Sequence, residues 1–450
     1  MTGVIAVLVA VSTVAVYEFY ARPASPPLPV AWTVPTSCGD CTVATSNHTL
    51  FVLGLLNQSS HGASNYSISA YNFSTGALLW RSPAFTIWEI GGFVGSGSTF
   101  FVNRDTLTFV DQGEKVTVPG YGTQAPGFCS FFILEWNATS GQYLGTSRTD
   151  SPYSCPAIAY VAHDQGWLSL AYLGSWPSTS NLTVQTFSEP KHSNTYRAWS
   201  ERLDLGTPRG SDFIPDYFFL MTDGDVVIST TLGSNLTTVL NGTTGGIEWV
   251  GPLPEWFIPS FSPYILNEPK NLLTSSTGLY YIAQNGSTVT LRSFNLTSHS
   301  SVTVTELIGV SALWSDLTRT PSGHFLVTDL ADRTYSCYTS GGAFLWNRTL
   351  SVQVTGGTST PELAVPFPIG SGELFLAFQS FAEGVEGKST VTTTTPFLLV
   401  SESDGDVEWH SSYTFSWSGG YGPEWYVPRL SSGPSLLYQF NQTLSVADLG

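Results

Sequence analysis

Two short acidic clusters have spacing that could do chemistry, Asp223-Gly-Asp225 and Asp404-Gly-Asp406. Alternating carboxylates of this kind begin calcium loops. A full loop supplies about six oxygen ligands over a dozen residues and ends on Glu. Neither stretch does, and hairpin turns, where Asp and Gly are favoured, account for both. Cys38-Gly-Asp-Cys41 has the spacing of half a zinc site or a redox pair, but no second CxxC or His pair completes it. A local disulfide or plain buried thiols is the expected state. Cys129 and Cys155 could bridge neighbouring loops in an oxidising compartment. The seven histidines form no HExxH and no close pair. Gly95-Ser96-Gly97 lacks the frame of a nucleophile elbow. Glu89, Asp316, Asp332 and Glu424 stand near aromatic runs and could line a channel, yet their spacing pairs no acid with a base. The sequence predicts no catalytic residue and no metal ligand.

A different chemistry is written more often. Asn-x-Ser/Thr sequons begin at Asn47, Asn57, Asn65, Asn72, Asn137, Asn181, Asn235, Asn241, Asn285, Asn295, Asn347 and Asn441. A chain this rich in Ser and Thr would hold about four by chance. The excess predicts exposure to a glycosylation machinery on the outer side of a membrane. The N-terminus agrees. Residues 3–17, "GVIAVLVAVSTVAVY", carry no charge. They are short for a full span, and they lack both the basic start and the clean cleavage site of a signal peptide. Residues 1–21 are therefore read as a membrane anchor, with a cleaved signal as the alternative. Residues 22–29, "RPASPPLP", form a Pro-rich, semi-rigid linker.

Composition removes other classes. The net charge is −17, and the lysines are Lys115, Lys191, Lys270 and Lys388. With no basic cluster to neutralise phosphates, no nucleic-acid partner is expected.

The elements that must position any site are short β-rich runs, among them "TLFVLGLL", "GDVVIST", "GLYYIAQ", "GHFLVTDL" and "GELFLAF", separated by Gly, Ser, Thr, Asn and Pro. This is an all-β pattern. One hairpin recurs. "YNFSTGALLW" ends on Trp80, "LNGTTGGIEW" on Trp249, "CYTSGGAFLW" on Trp346 and "VSESDGDVEW" on Trp409, with Gly76, Gly245, Gly342 and Gly405 four residues before each Trp. "WNATSGQYLG" keeps Gly141 and replaces Trp with Gly145; weaker copies end at Trp199 and near Thr303. The Gly supplies positive φ in a tight turn. The Trp offers a flat surface to fill a gap between adjacent sheets. Successive marks lie 43 to 65 residues apart, about one four-stranded unit each, which is a propeller period.

The termini extend the pattern. The last segment, residues 435–450, reads as two strands lacking an outer partner, and "LPVAW" ends on Trp32, 48 residues before Trp80. The N-terminal strand is expected to complete the last blade and clasp a ring of about eight blades over residues 30–450, with seven as the alternative. Residues 383–396, "EGVEGKSTVTTTTP", read as a long surface loop, either a binding element or a tolerated insertion.

The stretch Ala70-Tyr-Asn72-Phe-Ser-Thr-Gly76-Ala-Leu-Leu-Trp80 resembles the A-x-D-x-x-x-G-x-x-x-W repeat of pyrroloquinoline-quinone-like β-propellers. In that family the motif forms the tryptophan docking contact between blades. Here Asn72, Asn137, Asn241 and Asn295 stand in the Asp slot, while Tyr338 and Ser401 depart from it. The resemblance implies a propeller whose functions range from dehydrogenase to assembly scaffold. The quinone enzymes carry an adjacent Cys-Cys pair that this chain lacks, so neither the quinone nor its calcium is expected. The resulting expectation is a membrane-anchored, extracytoplasmic binding or scaffold module for a surface protein or glycan. The alternative is a quinone- or metal-dependent oxidoreductase.

Overall fold

The structure is a computed structural model. It describes residues 30–448 except 36–40, 47, 59–61, 89–98, 125–129, 151–157, 165–166, 174–180, 189–196, 205–216, 223–224, 231–235, 254–255, 258–271, 276–277, 313–314, 352, 356, 370–371, 385–390, 418–419, 422–423, 427–434 and 441–442. The expected anchor and linker, Glu89, Gly95-Ser96-Gly97, Cys38, Cys129, Cys155, Asn47, Asn235 and Asn441 lie outside these residues.

The described strands form eight antiparallel sheets. In chain order, sheet 1 falls within residues 41–124, sheet 2 within 99–150, sheet 3 within 158–204, sheet 4 within 217–252, sheet 5 within 256–307, sheet 6 within 315–349 and sheet 7 within 353–421. Sheet 8 joins the two ends of the chain. Its order is Val30–Pro35, Thr443–Asp448, Ser435–Phe440, Glu424–Tyr426, with Trp32 opposite Val446. The N-terminal strand thus supplies the outer strand that the C-terminal segment lacks.

Period-two alternation explains how the sheets stack. Strand Ser130–Asn137, "SFFILEWN", is buried almost throughout. Phe132, Leu134 and Trp136 pack with Phe51, Ile68 and Phe85 of sheet 1. Phe131 and Ile133 pack with Leu168, Leu170 and Phe187 of sheet 3. Successive side chains point to opposite faces, so one strand feeds two cores. The same sorting recurs in sheet 5, where Tyr281 and Ala283 face sheet 4 and Ile282 faces sheet 6. In sheet 6, Leu326 faces sheet 7 while Phe325 and Val327 face sheet 5. A strand walled by neighbours on both faces must be apolar on both. This is why the middle strands read as continuous hydrophobic runs.

Four-strandedness is not uniform. Sheets 1, 5 and 7 have seven, five and six strands, against the expectation of four. In sheet 1 the outer strand breaks at Ser82, whose N–H donates to the Ile68 carbonyl (2.8 Å) while its Oγ accepts the Ile68 N–H (2.9 Å). It resumes as Phe85–Trp88. There Lys115–Val118 and Gly122–Gln124, which arise between two strands of sheet 2, add as further strands. Lys115 Nζ lies 4.1 Å from the Trp88 ring centroid, a cation–π contact that helps hold the added hairpin.

The Thr-rich stretch of residues 383–396 is not one long loop. Residues 383–384 end the strand Glu373–Gly384, and 391–396 begin the strand Val391–Ser401. Thr is β-branched and fits a pleated surface. These two strands pair only over Glu373–Leu376 with Leu398–Ser401. Beyond that point each keeps to other partners, Gly357–Ile369 on one side and Val407–Trp417 on the other.

Candidate functional site

The recurring hairpin builds most of the chain's distinctive geometry. Each sheet carries a register shift in its outer pair. Trp80 faces Ala70 and Leu78 faces Tyr71, leaving Leu79 as the extra residue. Equivalent shifts set off Trp32, Gly145, Trp199, Trp249, Trp346 and Trp409. In sheet 5 the shifted residue is Thr305, not Thr303. A bulge re-aims the side chain that follows it.

What the bulge aims at is the turn of the next sheet. A Cβ added to Gly76 would lie 2.7 Å from the Trp32 ring, one on Gly141 2.5 Å from Trp80, one on Gly245 2.7 Å from Trp199, and one on Gly405 2.5 Å from Trp346. These glycines have φ of +69°, +71°, +74° and +69°. Glycine is required twice over, by the left-handed backbone and by the ring lying on it. Each indole N–H donates to the carbonyl at the start of the same turn: Trp32 to Phe73 (2.7 Å), Trp80 to Ala138 (3.1 Å), Trp199 to Gly242 (2.6 Å) and Trp346 to Glu402 (2.8 Å). Trp249 meets Phe294 (4.6 Å) and His299 (6.3 Å), and His299 takes the glycine's place with φ +51°. Trp409 lies 5.5 Å from Phe397 of its own sheet. The corresponding place in sheet 8, between Asp448 and Val30 where the two ends of the chain meet, lies outside the described residues.

The Asn slot closes the turn. Asn72 Oδ1 accepts from the N–H groups of Ser74 and Thr75 and from Thr75 Oγ1 (3.1, 3.0 and 3.0 Å). Asn137, Asn241 and Asn295 repeat this with Thr139/Ser140, Thr243/Thr244 and Thr297/Ser298. Among the other sequons, Asn65 is half-buried, donating to Asn57 and accepting from Thr86 Oγ1. Asn285 and Asn347 are exposed on strands, and the side chain of Asn181 is not described.

Between sheets 6 and 7 lies a polar cluster that spacing did not reveal. Glu402 is 2% exposed. Its carboxylate accepts from Thr320 Oγ1 and from Ser322 Oγ (3.1 Å), and His324 Nδ1 stands 3.2 Å from it. The buried thiol of Cys337 lies 4.0 Å from the Glu402 carbonyl. Burial, and then the Glu402 charge, push this thiol up to about 12. Cys, His and Glu together have the composition of a nucleophilic site. A thiol that stays protonated at neutral pH is no nucleophile, so the cluster pins two sheets together. The participants lie about 80 residues apart in sequence, so no local motif could have shown them.

The acidic candidates separate. Asp316 is buried on the first strand of sheet 6 and Asp332 is exposed in a turn. The side chain of Glu424 is not described. Asp225 Oδ1 accepts from Gly242 N–H (2.9 Å), and Asp404 Oδ1 from Asp406 N–H (3.0 Å). Asp404 thus serves its own turn, whereas Asp223 and Gly224 lie outside the described residues.

What stays open to solvent is the outer strand of several sheets. Leu78 and Leu79 are 51% exposed, Ile247 53% and Phe344 56%. Leu78, Ile247 and Phe344 each sit two residues before the docking Trp. The bulge that turns the indole inward leaves these apolar neighbours outside.

No family profile and no curated protein matches the chain by sequence. Among solved structures, it is similar to Sqt1 of Saccharomyces cerevisiae, a β-propeller. The match has 8% identity and a TM-score of 0.54, and covers 94% of this chain and 99% of that one. BamB of Moraxella catarrhalis matches at 12% identity and TM-score 0.37 (82% and 99% covered). The Swd1 β-propeller domain of Myceliophteria thermophila matches at 10% identity and TM-score 0.38 (80% and 97% covered). The near-complete overlap with Sqt1, together with the antiparallel sheets of the described residues, shows that the chain has a β-propeller fold.

Proposed function

We infer that this propeller is a binding module for a protein partner, built as a ring of eight blades of the pyrroloquinoline-quinone-like repeat type. It is held at the outer face of a membrane by its N-terminal segment. The observation that carries the binding reading is the set of apolar side chains left outside at the bulges: Leu78, Leu79, Ile247 and Phe344. Single exposed leucines are ordinary. Apolar residues repeated at one structural position of several outer strands are a presented surface. The outer strands also offer unpaired backbone groups to an incoming segment.

Crosslinking on intact producing cells tests the reading. The wild-type chain should capture a defined protein, and Leu78→Asp with Leu79→Asp, or Phe344→Asp, should lose it at unchanged melting temperature. Capture at equal yield by wild type and every variant, or no capture by the wild type, overturns it. A glycan partner would appear instead as retention on a glycan array that the same substitutions abolish.

A further inference from the structure

Each of the four Asn turns contains one hydroxyl that the turn does not use. Asn Oδ1, the hydroxyl three residues on (Thr75, Ser140, Thr244, Ser298) and the turn backbone are tied together by hydrogen bonds. The hydroxyl two residues on belongs to Ser74, Thr139, Thr243 or Thr297. All four are exposed, and none has a side-chain hydrogen bond among the described residues. Ser and Thr are about a quarter of the chain. A hydroxyl at this idle position in four turns out of four exceeds what that composition supplies. The contrast lies in sheet 7, where Ser401 replaces Asn. There the hydroxyl two residues on, Ser403, is engaged with Ser401 Oγ at 3.0 Å. N-glycan transfer requires Ser or Thr two residues after Asn, and in these four turns that hydroxyl is also left free by the turn.

The asparagines themselves fit. The turn consumes Oδ1, whereas the sugar is carried by Nδ2. Nδ2 has no partner among the described residues at Asn72, Asn137 and Asn295, and donates to Glu248 at Asn241 (2.8 Å). An N-glycosylated amide keeps its carbonyl oxygen and one N–H. All three bonds to Oδ1 survive modification, and so does a single donation from Nδ2.

We propose that Asn72, Asn137 and Asn295 carry N-linked glycans, attached without disturbing the inter-sheet turns that their carbonyls stabilise. This rests on the extracytoplasmic placement above. The donor is a glycan linked to a polyisoprenyl phosphate or pyrophosphate. The bond from Nδ2 to the sugar's anomeric carbon forms as the bond from that carbon to the phosphate oxygen breaks. The phosphate leaves with the electron pair, and a base takes one amide proton. The glycans would project from the turn end of sheets 1, 2 and 5.

Site-resolved mass spectrometry of the full chain purified from its own cells tests this, with three single variants. Peptides bearing Asn72, Asn137 and Asn295 should carry glycan mass. Ser74→Ala, Thr139→Ala and Thr297→Ala should each remove the glycan at one site and, in protein made in a host that lacks the glycan transferase, leave the melting temperature within a degree or two of wild type made the same way. Thr75→Ala should do the reverse, keeping the glycan at Asn72 and lowering the melting temperature. Unmodified Asn72, Asn137 and Asn295 overturn the proposal, whether the chain bears no sugar or bears it only on other sequons. So does a glycan that persists in Ser74→Ala. Partner capture by the Leu78/Leu79 surface is scored separately, so either reading can fail alone.

Discussion

The seam between sheets 6 and 7 and the seam between sheets 5 and 6 meet the same need in opposite ways. At the first, Trp346 lies on Gly405 and donates to the Glu402 carbonyl. At the second, the residue after the bulge is Thr305, too small to reach across. The neighbouring turn closes the gap instead. It is one residue tighter, with Gly342 N–H donating to Thr339 (2.9 Å) where Gly405 N–H donates four residues back, to Ser401. A Cβ on Gly342 would collide with the Val304 backbone carbonyl rather than with a ring. Close packing tolerates no void, so losing an indole from one sheet is matched by a shorter turn in the next. Both seams demand glycine, one for a side chain and one for a main chain.

The largest break in this comparison should come from the indole. Trp346→Ala opens a cavity and leaves the Glu402 carbonyl unbonded, and should cost about 3–5 kcal/mol in urea unfolding. Thr305→Ala should cost about 1 kcal/mol or less, because the backbone carries that seam. Equal losses would mean that the seams do not differ as described. Next come the glycines. Gly405→Ala and Gly342→Ala should each cost about 2–4 kcal/mol, combining left-handed strain with overpacking. Gly309 has φ +71° and nothing within 4 Å of an added Cβ. Gly309→Ala should therefore show the backbone share alone, about 1 kcal/mol. The difference between the two values measures the seam.

A smaller effect sharpens the Trp346 seam through pH. Cys337 sits under it with its thiol pushed up by burial to about 12, from an ordinary value of 9.0. The folded chain holds this proton more tightly than the unfolded chain. The stability so gained is fully present below pH 9 and is lost as pH rises toward 12. Burial also raises Tyr143 and Tyr338, which act in the same direction at higher pH. The clean readout is thus wild type against Cys337→Ala between pH 9 and 10. The wild type should lose about 1 kcal/mol more than the variant. Parallel slopes would place the thiol in contact with water.

The Gly-to-Trp spacing was legible because turn chemistry and docking both act within one hairpin, and the Trp32 clasp followed from the same period. Where no Trp marks the docking residue, the sequence points only to the neighbourhood of Thr303 and the pairing places the shifted residue at Thr305, because a bulge is a property of pairing and leaves no tag in the strand. The hairpin of Lys115–Gln124 reads as an ordinary strand pair, and only the folded chain shows that it belongs to sheet 1. Glu402 was invisible for the same reason. Its partners come from another sheet, and its own neighbours, Ser401 and Ser403, describe only the turn.

The smallest expected effect distinguishes the two turn types themselves. The Asn72 turn is held by a side-chain carbonyl that accepts three bonds. The tighter Thr339 turn is held by one hydroxyl, accepting from Ala343 N–H at 3.0 Å. All these bonds are exposed, so water replaces them at little cost. Asn72→Ala should lose about 1 kcal/mol and Thr339→Ala about half of that. Asn72→Asp preserves the accepting oxygen and should be neutral within about 0.5 kcal/mol. It also removes the amide nitrogen, so the comparison is made on protein produced without the glycan, because enzymatic removal of the sugar would itself turn Asn72 into Asp. If Asn72→Asp is as costly as Asn72→Ala, the amide nitrogen rather than the carbonyl holds the turn. The separation of roles between Oδ1 and Nδ2 would then fail at its simplest point.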